Sequence, residues 1–253
     1  MVKFPQEDLV INSETIVVSD PPVTLEVSEL FASLQGEGKF LGHPCIFLRL
    51  RRCNLACPKC DERHTWDKND AGWNDYTIYE SSKLAHEIDM RSQGHIRRLV
   101  VTGGEPLIWD RQLSDLFPKL PGWEFEIETN GTILPKHVEK FNTHYNVSPK
   151  LSFFHDRSRK TIVGGALRFF NKRCEYGRAI FKFVVSEREH FDEIWNLSKE
   201  IGIGPEDVYI MPEGVDQITI LNRLPWLFEE CRQYGYNLTP RMHILAFGNQ
   251  KGT

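Results

Sequence analysis

Short apolar runs alternate with amphipathic segments along most of the chain. Six runs rich in apolar and β-branched residues predict strands: residues 45–51, 98–104, 123–131, 144–150, 179–185 and 207–212. Four segments with helical spacing predict helices: residues 77–94, 110–120, 191–202 and 218–235. Strands that alternate with helices indicate βαβ units and an α/β fold with about six parallel strands, either an open doubly wound sheet or a partial barrel.

Glycine, proline and polar residues cluster at the ends of several of the predicted strands. They lie at residues 102–105, 128–131, 148–150 and 211–212. In open α/β sheets and in barrels, ligands bind at the carboxyl ends of the parallel strands. The sequence therefore predicts a functional site at this edge of the sheet.

Length, composition and charge favour one ordinary globular domain. The 253 residues suit a single α/β barrel, here residues 23–253, preceded by an extension over residues 1–22 that ends in two prolines. The charge of -4 and the lack of a long apolar segment give no reason to expect a nucleic-acid or membrane partner. The first residues lack the basic-then-apolar order of a secretory signal, so we expect a cytoplasmic protein.

Three of the six cysteines form a tight group after the first predicted strand. Cys53, Cys57 and Cys60 have the spacing C-x3-C-x2-C, which in a protein without secretory features indicates metal or redox chemistry rather than disulfides. A zinc site remains an alternative, because His64 could supply the fourth ligand of a tetrahedral site. Three thiolates on a 4Fe-4S cluster would instead leave one iron for an exogenous ligand such as S-adenosylmethionine. The other cysteines are expected to be buried thiols: Cys45, Cys174 and Cys231.

The cysteine spacing together with TGGEP at residues 102–106 resembles the radical S-adenosylmethionine superfamily. The resemblance implies a partial (shortened) βα barrel, a 4Fe-4S cluster and S-adenosylmethionine. Glycines in such a motif allow a close backbone approach that a side chain would block.

Further motifs narrow the resemblance to one family. LQGEG (34–38), FLRL (47–50), CDERHTW (60–66), ETNGT (128–132), VSPKL (147–151) and MHILAFGN (242–249) resemble the 7-carboxy-7-deazaguanine synthases and cover the chain from about residue 25 to its end. The resemblance implies conversion of 6-carboxytetrahydropterin to 7-carboxy-7-deazaguanine with loss of ammonia, on the route to queuosine and other deazapurines. It also implies Mg2+, a homodimer and an electron donor such as flavodoxin.

The resemblance assigns roles residue by residue. It implies cluster ligation by Cys53, Cys57 and Cys60, and S-adenosylmethionine binding by Lys59, Cys60, Asp61, Gly104, Glu105, Ser148, Pro149 and Lys150. It implies substrate contacts from Leu34, Gln35, Gly36, Arg49, Thr102, His243 and Thr253, and Mg2+ binding by Glu62. Two positions depart from the family: Lys59 replaces the usual aromatic residue, and Glu62 replaces the usual threonine. Either Glu62 binds the Mg2+ itself, or Thr65 or water takes its place.

Two other functions use part of the same pattern. A radical activase acting on a protein glycine would share the cysteine loop and TGGEP, but it accounts neither for LQGEG nor for the C-terminal motif. A non-catalytic zinc-binding module would need only the cysteines and a fourth ligand. A visible iron–sulfur absorbance would separate the two radical enzymes from the zinc module.

Overall fold

The structure is a computed structural model that describes residues 22–154 and 160–253. The predicted extension, except for its last residue, lies outside these ranges. The strands are β1 (Thr24–Leu34), β2 (Pro44–Leu50), β3 (Thr77–Glu80), β4 (Arg98–Gly103), β5 (Glu124–Thr129), β6 (Thr143–Val147), β7 (Ala179–Val185), β8 (Val208–Pro212) and β9 (Asn237–Leu238). The helices are α1 (Ser81–Arg91), α2 (Asp110–Leu116), α3 (Gly164–Cys174), α4 (His190–Ile201), α5 (Gln217–Tyr234) and α6 (Met242–Phe247).

The nine strands of the described residues join one sheet in the order β3-β1-β2-β4-β5-β6-β7-β8-β9. The run from β2 to β8 is parallel throughout, which confirms the six predicted parallel strands. The two-residue β9 extends this parallel run, whereas β1 and β3 add an antiparallel edge at the other side. Within the described residues the outermost strands, β3 and β9, do not pair with each other, as expected for a partial barrel.

The helix predicted at residues 77–94 begins four residues later than predicted. Residues Thr77–Glu80 form β3, which pairs antiparallel with β1, and the helix begins at Ser81. Four residues of ambiguous periodicity take the strand conformation because the edge of β1 offers them backbone partners. The strand β1 itself was not predicted, although Leu25 and Val27 are buried at alternate positions, a period typical of a strand.

Alternate residues of the central strands face two different environments. Ile127, Tyr145 and Phe181 belong to the apolar core that packs under the helices. Glu126 and Asn146, on the opposite face, are buried and hydrogen-bonded to each other. The inner side of the sheet is therefore polar, and this is the side on which the candidate site lies.

The three scattered cysteines are buried, as predicted. Cys45 lies in β2, Cys174 ends α3 and Cys231 lies in α5, and the two helical cysteines are part of the apolar core. Burial raises the pKa of the Cys174 and Cys231 thiols to about 12, so both remain neutral. Among the described residues, the helices lack a stretch sufficiently long and apolar to pass through a membrane.

Candidate active site

A cavity of about 730 Å³ opens at the carboxyl ends of the parallel strands. It is lined by most of the predicted site residues: Leu34, Gln35, Arg49, Cys53, Cys57, Lys59, Cys60, Asp61, Glu62, Thr102, Gly104, Ser148, Lys150, His243 and Thr253. Among the described residues that were predicted to form the site, Gly36, Glu105 and Pro149 do not line this cavity. The tertiary structure thus brings together residues from both ends of the chain.

The cysteine loop begins directly after β2 and presents its three thiols to the cavity. A turn in which the Cys60 amide donates to the Cys57 carbonyl, at 3.2 Å, closes the second half of the loop. Asn54 anchors the first half, because its side chain donates to Thr132 (2.7 Å) and accepts from Asn130 (2.9 Å). The loop after β5 therefore holds the cysteine loop in place.

The chemistry of the three thiols fits an iron–sulfur cluster. Burial raises the pKa of Cys53 to about 12 and also raises that of Cys60, so the thiolates need bound cations to form. Within residues 22–154 and 160–253, no three Cys, His, Asp or Glu side chains converge as ligands of one metal ion. A four-iron cluster does not require such convergence, because each thiolate binds a different iron.

Two glycines at the end of β4 allow the chain to pass against the start of the cysteine loop. A Cβ at Gly104 would lie 2.2 Å from the Arg52 carbonyl oxygen and 2.9 Å from the Cys53 nitrogen. Gly103 has a φ of +126°, and a Cβ there would lie 2.0 Å from the Leu50 carbonyl oxygen. The two glycines therefore let the end of β4 approach the end of β2 and the start of the cysteine loop.

Glu105 is fully buried beneath the cavity wall. Its carboxylate accepts hydrogen bonds from the Leu107 amide (3.0 Å), the Thr129 hydroxyl (2.8 Å) and the Asn130 amide (2.7 Å). These bonds tie the end of β4 to the end of β5. Glu105 therefore supports the cavity wall, and the ligand contact predicted for it stays a prediction.

Ser148 and Lys150 line the cavity just beyond β6. The Ser148 amide donates to the Thr129 carbonyl at 2.7 Å, which fixes this segment to β5. The Lys150 ammonium lies 3.1 Å from the Ser148 hydroxyl and carries positive charge into the cavity wall.

Arg49 lies between two carboxylates on the cavity wall. Its Nε donates to Glu29, and its Nη1 lies 2.7 Å from Glu62. Burial disfavours its charge, but Glu62 and Glu29 outweigh that effect and raise the pKa of Arg49. Burial also raises the pKa of Glu62 to about 7, although Arg49 opposes this shift. The second Glu62 oxygen lies 3.3 Å from His64 Nδ1, so this predicted metal ligand is already engaged by protein groups.

The LQG segment and the C-terminal helix pack against each other. The Gly36 carbonyl accepts a hydrogen bond from the Met242 amide at 2.9 Å, and a Cβ at Gly36 would lie 2.3 Å from His243 Nδ1. Thr253 lines the same cavity, and its hydroxyl donates to the Gln250 carbonyl at 2.9 Å. Because Gly36 has no side chain, the His243 ring can pack against its backbone.

Sequence reasoning missed seven charged residues of the cavity wall. These residues are Glu29, Glu37, Glu128, Lys182, Glu213, Arg241 and Lys251. Glu37 and Glu128 lie inside motifs that had been recognised, and Lys182 is a charge within an apolar strand, which is a signal that could have been used. Arg241 carried no such signal.

Comparisons with known proteins agree with this geometry. Residues 48–180 match the family model of the radical SAM superfamily. The 7-carboxy-7-deazaguanine synthase of Pyrobaculum aerophilum is 35% identical over 231 residues, which cover 90% of this chain and 97% of that protein. The synthase of Halobacterium salinarum is 33% identical, with 90% and 93% covered. The crystal structure of QueE from Escherichia coli is 27% identical, with a TM-score of 0.64, and the alignment covers 87% of this chain and 95% of that one.

The relatives favour neither a glycyl-radical activase nor a zinc-binding module. Members of the radical SAM superfamily use a 4Fe-4S cluster with S-adenosylmethionine, and the three cavity thiols fit that requirement. The extent of the similarity and the shared fold lead to one conclusion: this chain belongs to the radical SAM superfamily and, within it, to the 7-carboxy-7-deazaguanine synthase family.

Proposed function

We propose that this chain converts 6-carboxy-5,6,7,8-tetrahydropterin to 7-carboxy-7-deazaguanine with loss of ammonia, in deazapurine biosynthesis. One observation carries the proposal: a single cavity collects the cysteine loop on one side and the LQG segment, Arg49 and the C-terminal residues on the other. A site for a radical-generating cofactor therefore directly adjoins a polar site large enough for a planar bicyclic substrate.

Cys53, Cys57 and Cys60 would hold the cluster. When bound there, the cluster supplies the electron that cleaves S-adenosylmethionine and generates a radical. Lys59, Asp61, Gly104, Ser148 and Lys150 surround the space beside it and are the proposed S-adenosylmethionine contacts. Pro149 and Glu105, which do not line the cavity, are proposed to support these contacts.

Anaerobic turnover tests the proposed function. The protein, reconstituted with iron and sulfide and then reduced, would be mixed with S-adenosylmethionine and 6-carboxytetrahydropterin, and 7-carboxy-7-deazaguanine and ammonia would be measured. We expect equal amounts of the two products and no net consumption of S-adenosylmethionine. A protein that contains its full cluster and cleaves S-adenosylmethionine, yet forms no deazaguanine, would contradict the proposal.

Arg49 is proposed to bind the substrate carboxylate, together with Leu34, Gln35, Gly36, Thr102, His243 and Thr253 around the ring. Arg49→Ala should weaken substrate binding by about 2–5 kcal/mol, because a charge-assisted pair in a largely desolvated site is lost. Binding of S-adenosylmethionine should be unchanged. Anaerobic calorimetry with each ligand measures both effects.

Two controls accompany the Arg49 prediction. Arg49→Lys keeps the charge between Glu29 and Glu62 but loses the planar fork, so it should fold and bind substrate with intermediate affinity. Arg232→Ala removes an exposed arginine on α5 and should bind both ligands normally. Equal loss of both ligands in Arg49→Ala would point to misfolding instead of a substrate contact.

Glu62 is proposed to bind Mg2+ in place of the family's threonine. Mg2+ prefers oxygen ligands, and a carboxylate supplies a charge that a hydroxyl lacks. Because Glu62 also pairs with Arg49 at 2.7 Å, the cation must compete with the guanidinium for this carboxylate. We therefore expect Glu62→Gln and Glu62→Thr to need more Mg2+ for half-maximal turnover, with unchanged iron content. Superimposable Mg2+ titration curves for the three proteins would exclude Glu62 as a ligand.

A homodimer, a cytoplasmic location and an electron donor such as flavodoxin complete the proposal. Ile218, Leu221 and Phe228 are exposed at helical spacing on α5, which offers an apolar face for an isologous contact. All six cysteines are free thiols, which fits a reducing compartment. Light scattering of the intact protein measures its oligomeric state.

A further inference from the structure

Five charged side chains of alternating sign form a continuous chain along the cavity wall. Asp61, beside the third cysteine, lies 2.8 Å from Arg241, and Arg241 lies 3.2 Å from Glu37. Glu37 lies 2.6 Å from Lys182, and Lys182 lies 2.7 Å from Glu128. The chain therefore runs from the cysteine loop to the end of β5.

Lys182 is the cation that the two glutamates share. Its side chain lies in the middle of β7 and is 5% exposed, and its ammonium donates to Oε2 of both Glu37 and Glu128. The remaining oxygens are also bound: Arg241 donates to Oε1 of Glu37, and Asn146 donates to Oε1 of Glu128 at 2.7 Å. Each carboxylate is thus fixed through both oxygens, with Lys182 as their common donor.

The two glutamates come from different parts of the fold. Glu37 follows β1, Glu128 lies in β5, and both line the cavity. Buried carboxylates this close remain ionised together only if a cation compensates them. Burial would raise the pKa of Glu37, but Lys182, Arg241 and His243 together hold it well below its usual range. The pair consequently presents two fixed negative charges to any ligand in the cavity.

We propose that Lys182 is a positioning residue for the substrate, because it sets the spacing and the charge of the Glu37 and Glu128 carboxylates on the cavity wall. This inference rests on the proposed function. A reduced pterin carries an amino group and ring N–H groups along its edge, and two ionised acceptors at a fixed spacing complement such donors. Lys182 acts through the glutamates and needs no contact of its own with the reacting atoms.

An ion pair that only stabilises the fold would behave differently from a positioning residue. Loss of a purely structural pair lowers the melting temperature and affects both ligands alike. Loss of a positioning residue affects the substrate and spares S-adenosylmethionine. Of the proposed S-adenosylmethionine contacts only Asp61 belongs to the charged chain, and it is held by Arg241 at the far end, whereas Lys182 bonds Glu37 and Glu128. The ratio of the two affinities therefore separates the alternatives.

The experiment compares the reconstituted wild-type protein with Lys182→Met, Lys182→Arg and Lys172→Met. Lys182→Met removes the charge at similar length, and Lys172→Met makes the same change at an exposed position of α3. Iron content and melting temperature are recorded first. Anaerobic calorimetry then gives the affinities for 6-carboxytetrahydropterin and for S-adenosylmethionine, and turnover gives KM and kcat.

We expect Lys182→Met to bind the pterin about 10- to 100-fold more weakly, as for loss of other residues that orient a ligand-binding group. Its S-adenosylmethionine affinity and iron content should match those of the wild type and of Lys172→Met. Lys182→Arg keeps the charge but moves the donors, so its pterin affinity should be intermediate. Wild-type pterin affinity in Lys182→Met, or equal weakening of both ligands, would overturn the inference.

Lys182→Arg decides the question if Lys182→Met does not fold. Pterin affinity several-fold below that of the wild type, with normal S-adenosylmethionine affinity, would support positioning, whereas unchanged pterin affinity would overturn it. The proposed function is judged separately on the wild-type protein. No product from the wild type contradicts the function, whereas normal wild-type turnover with an unaffected variant contradicts only the role of Lys182.

Discussion

Replacing Cys57 by alanine is expected to abolish cluster binding. Its thiol is buried in the cavity beside those of Cys53 and Cys60, and loss of one of three ligands leaves the cluster attached by two. After anaerobic reconstitution, iron and sulfide should fall to roughly one-tenth of the wild-type content or less, and the visible absorbance should disappear. The cavity offers no other cysteine, because the remaining three are buried elsewhere in the fold.

Cys231→Ala provides the matched control for this prediction. Cys231 is similarly buried, but it lies in α5 within the apolar core. The change should lower stability slightly through lost packing and leave iron content unchanged. Normal cluster content in Cys57→Ala, or equal loss in both variants, would contradict the assignment of the cluster ligands.

Replacing Gly104 by alanine is expected to destabilise the fold and to disturb the start of the cysteine loop. The added Cβ would lie 2.2 Å from the Arg52 carbonyl oxygen and 2.9 Å from the Cys53 nitrogen. Both are backbone atoms, so the start of the cysteine loop would have to move. We expect the free energy of unfolding to fall by about 1–3 kcal/mol, as for other overpacked sites. Cluster content should fall as well, because Cys53 directly follows the displaced residue.

Gly165→Ala isolates this steric effect from the general effect of replacing a glycine. A Cβ at Gly165, in α3, would meet no described atom within 4 Å, so the change should be neutral or slightly stabilising. Denaturant unfolding and iron analysis on both variants measure the difference. Wild-type stability and iron content in Gly104→Ala would show that the cysteine loop adapts easily, contrary to the packing described here.

Glu105 shows which contacts of a motif residue depend on the tertiary structure. TGGEP correctly located the end of β4 beside the cysteine loop. The Glu105 carboxylate, however, is consumed by the Leu107 and Asn130 amides and the Thr129 hydroxyl, which lie up to 25 residues away. The protein groups that the acid of this motif bonds are set by the tertiary fold and leave no local mark in the sequence.

The parallel α/β fold, the cysteine loop and the edge of the sheet on which the candidate site lies could all be predicted from the sequence alone. These features leave local marks: apolar runs, helical periodicity, fixed cysteine spacing and glycines at strand ends. The antiparallel β1–β3 edge, the pairing of Glu62 with Arg49 and the charged chain through Lys182 were decided only by the tertiary structure. Glu37 and Arg241 are 204 residues apart, and an ion pair across such a separation has no periodic signature. It forms because the closing of the partial barrel brings both groups to one wall of a cavity where neither charge could be buried alone.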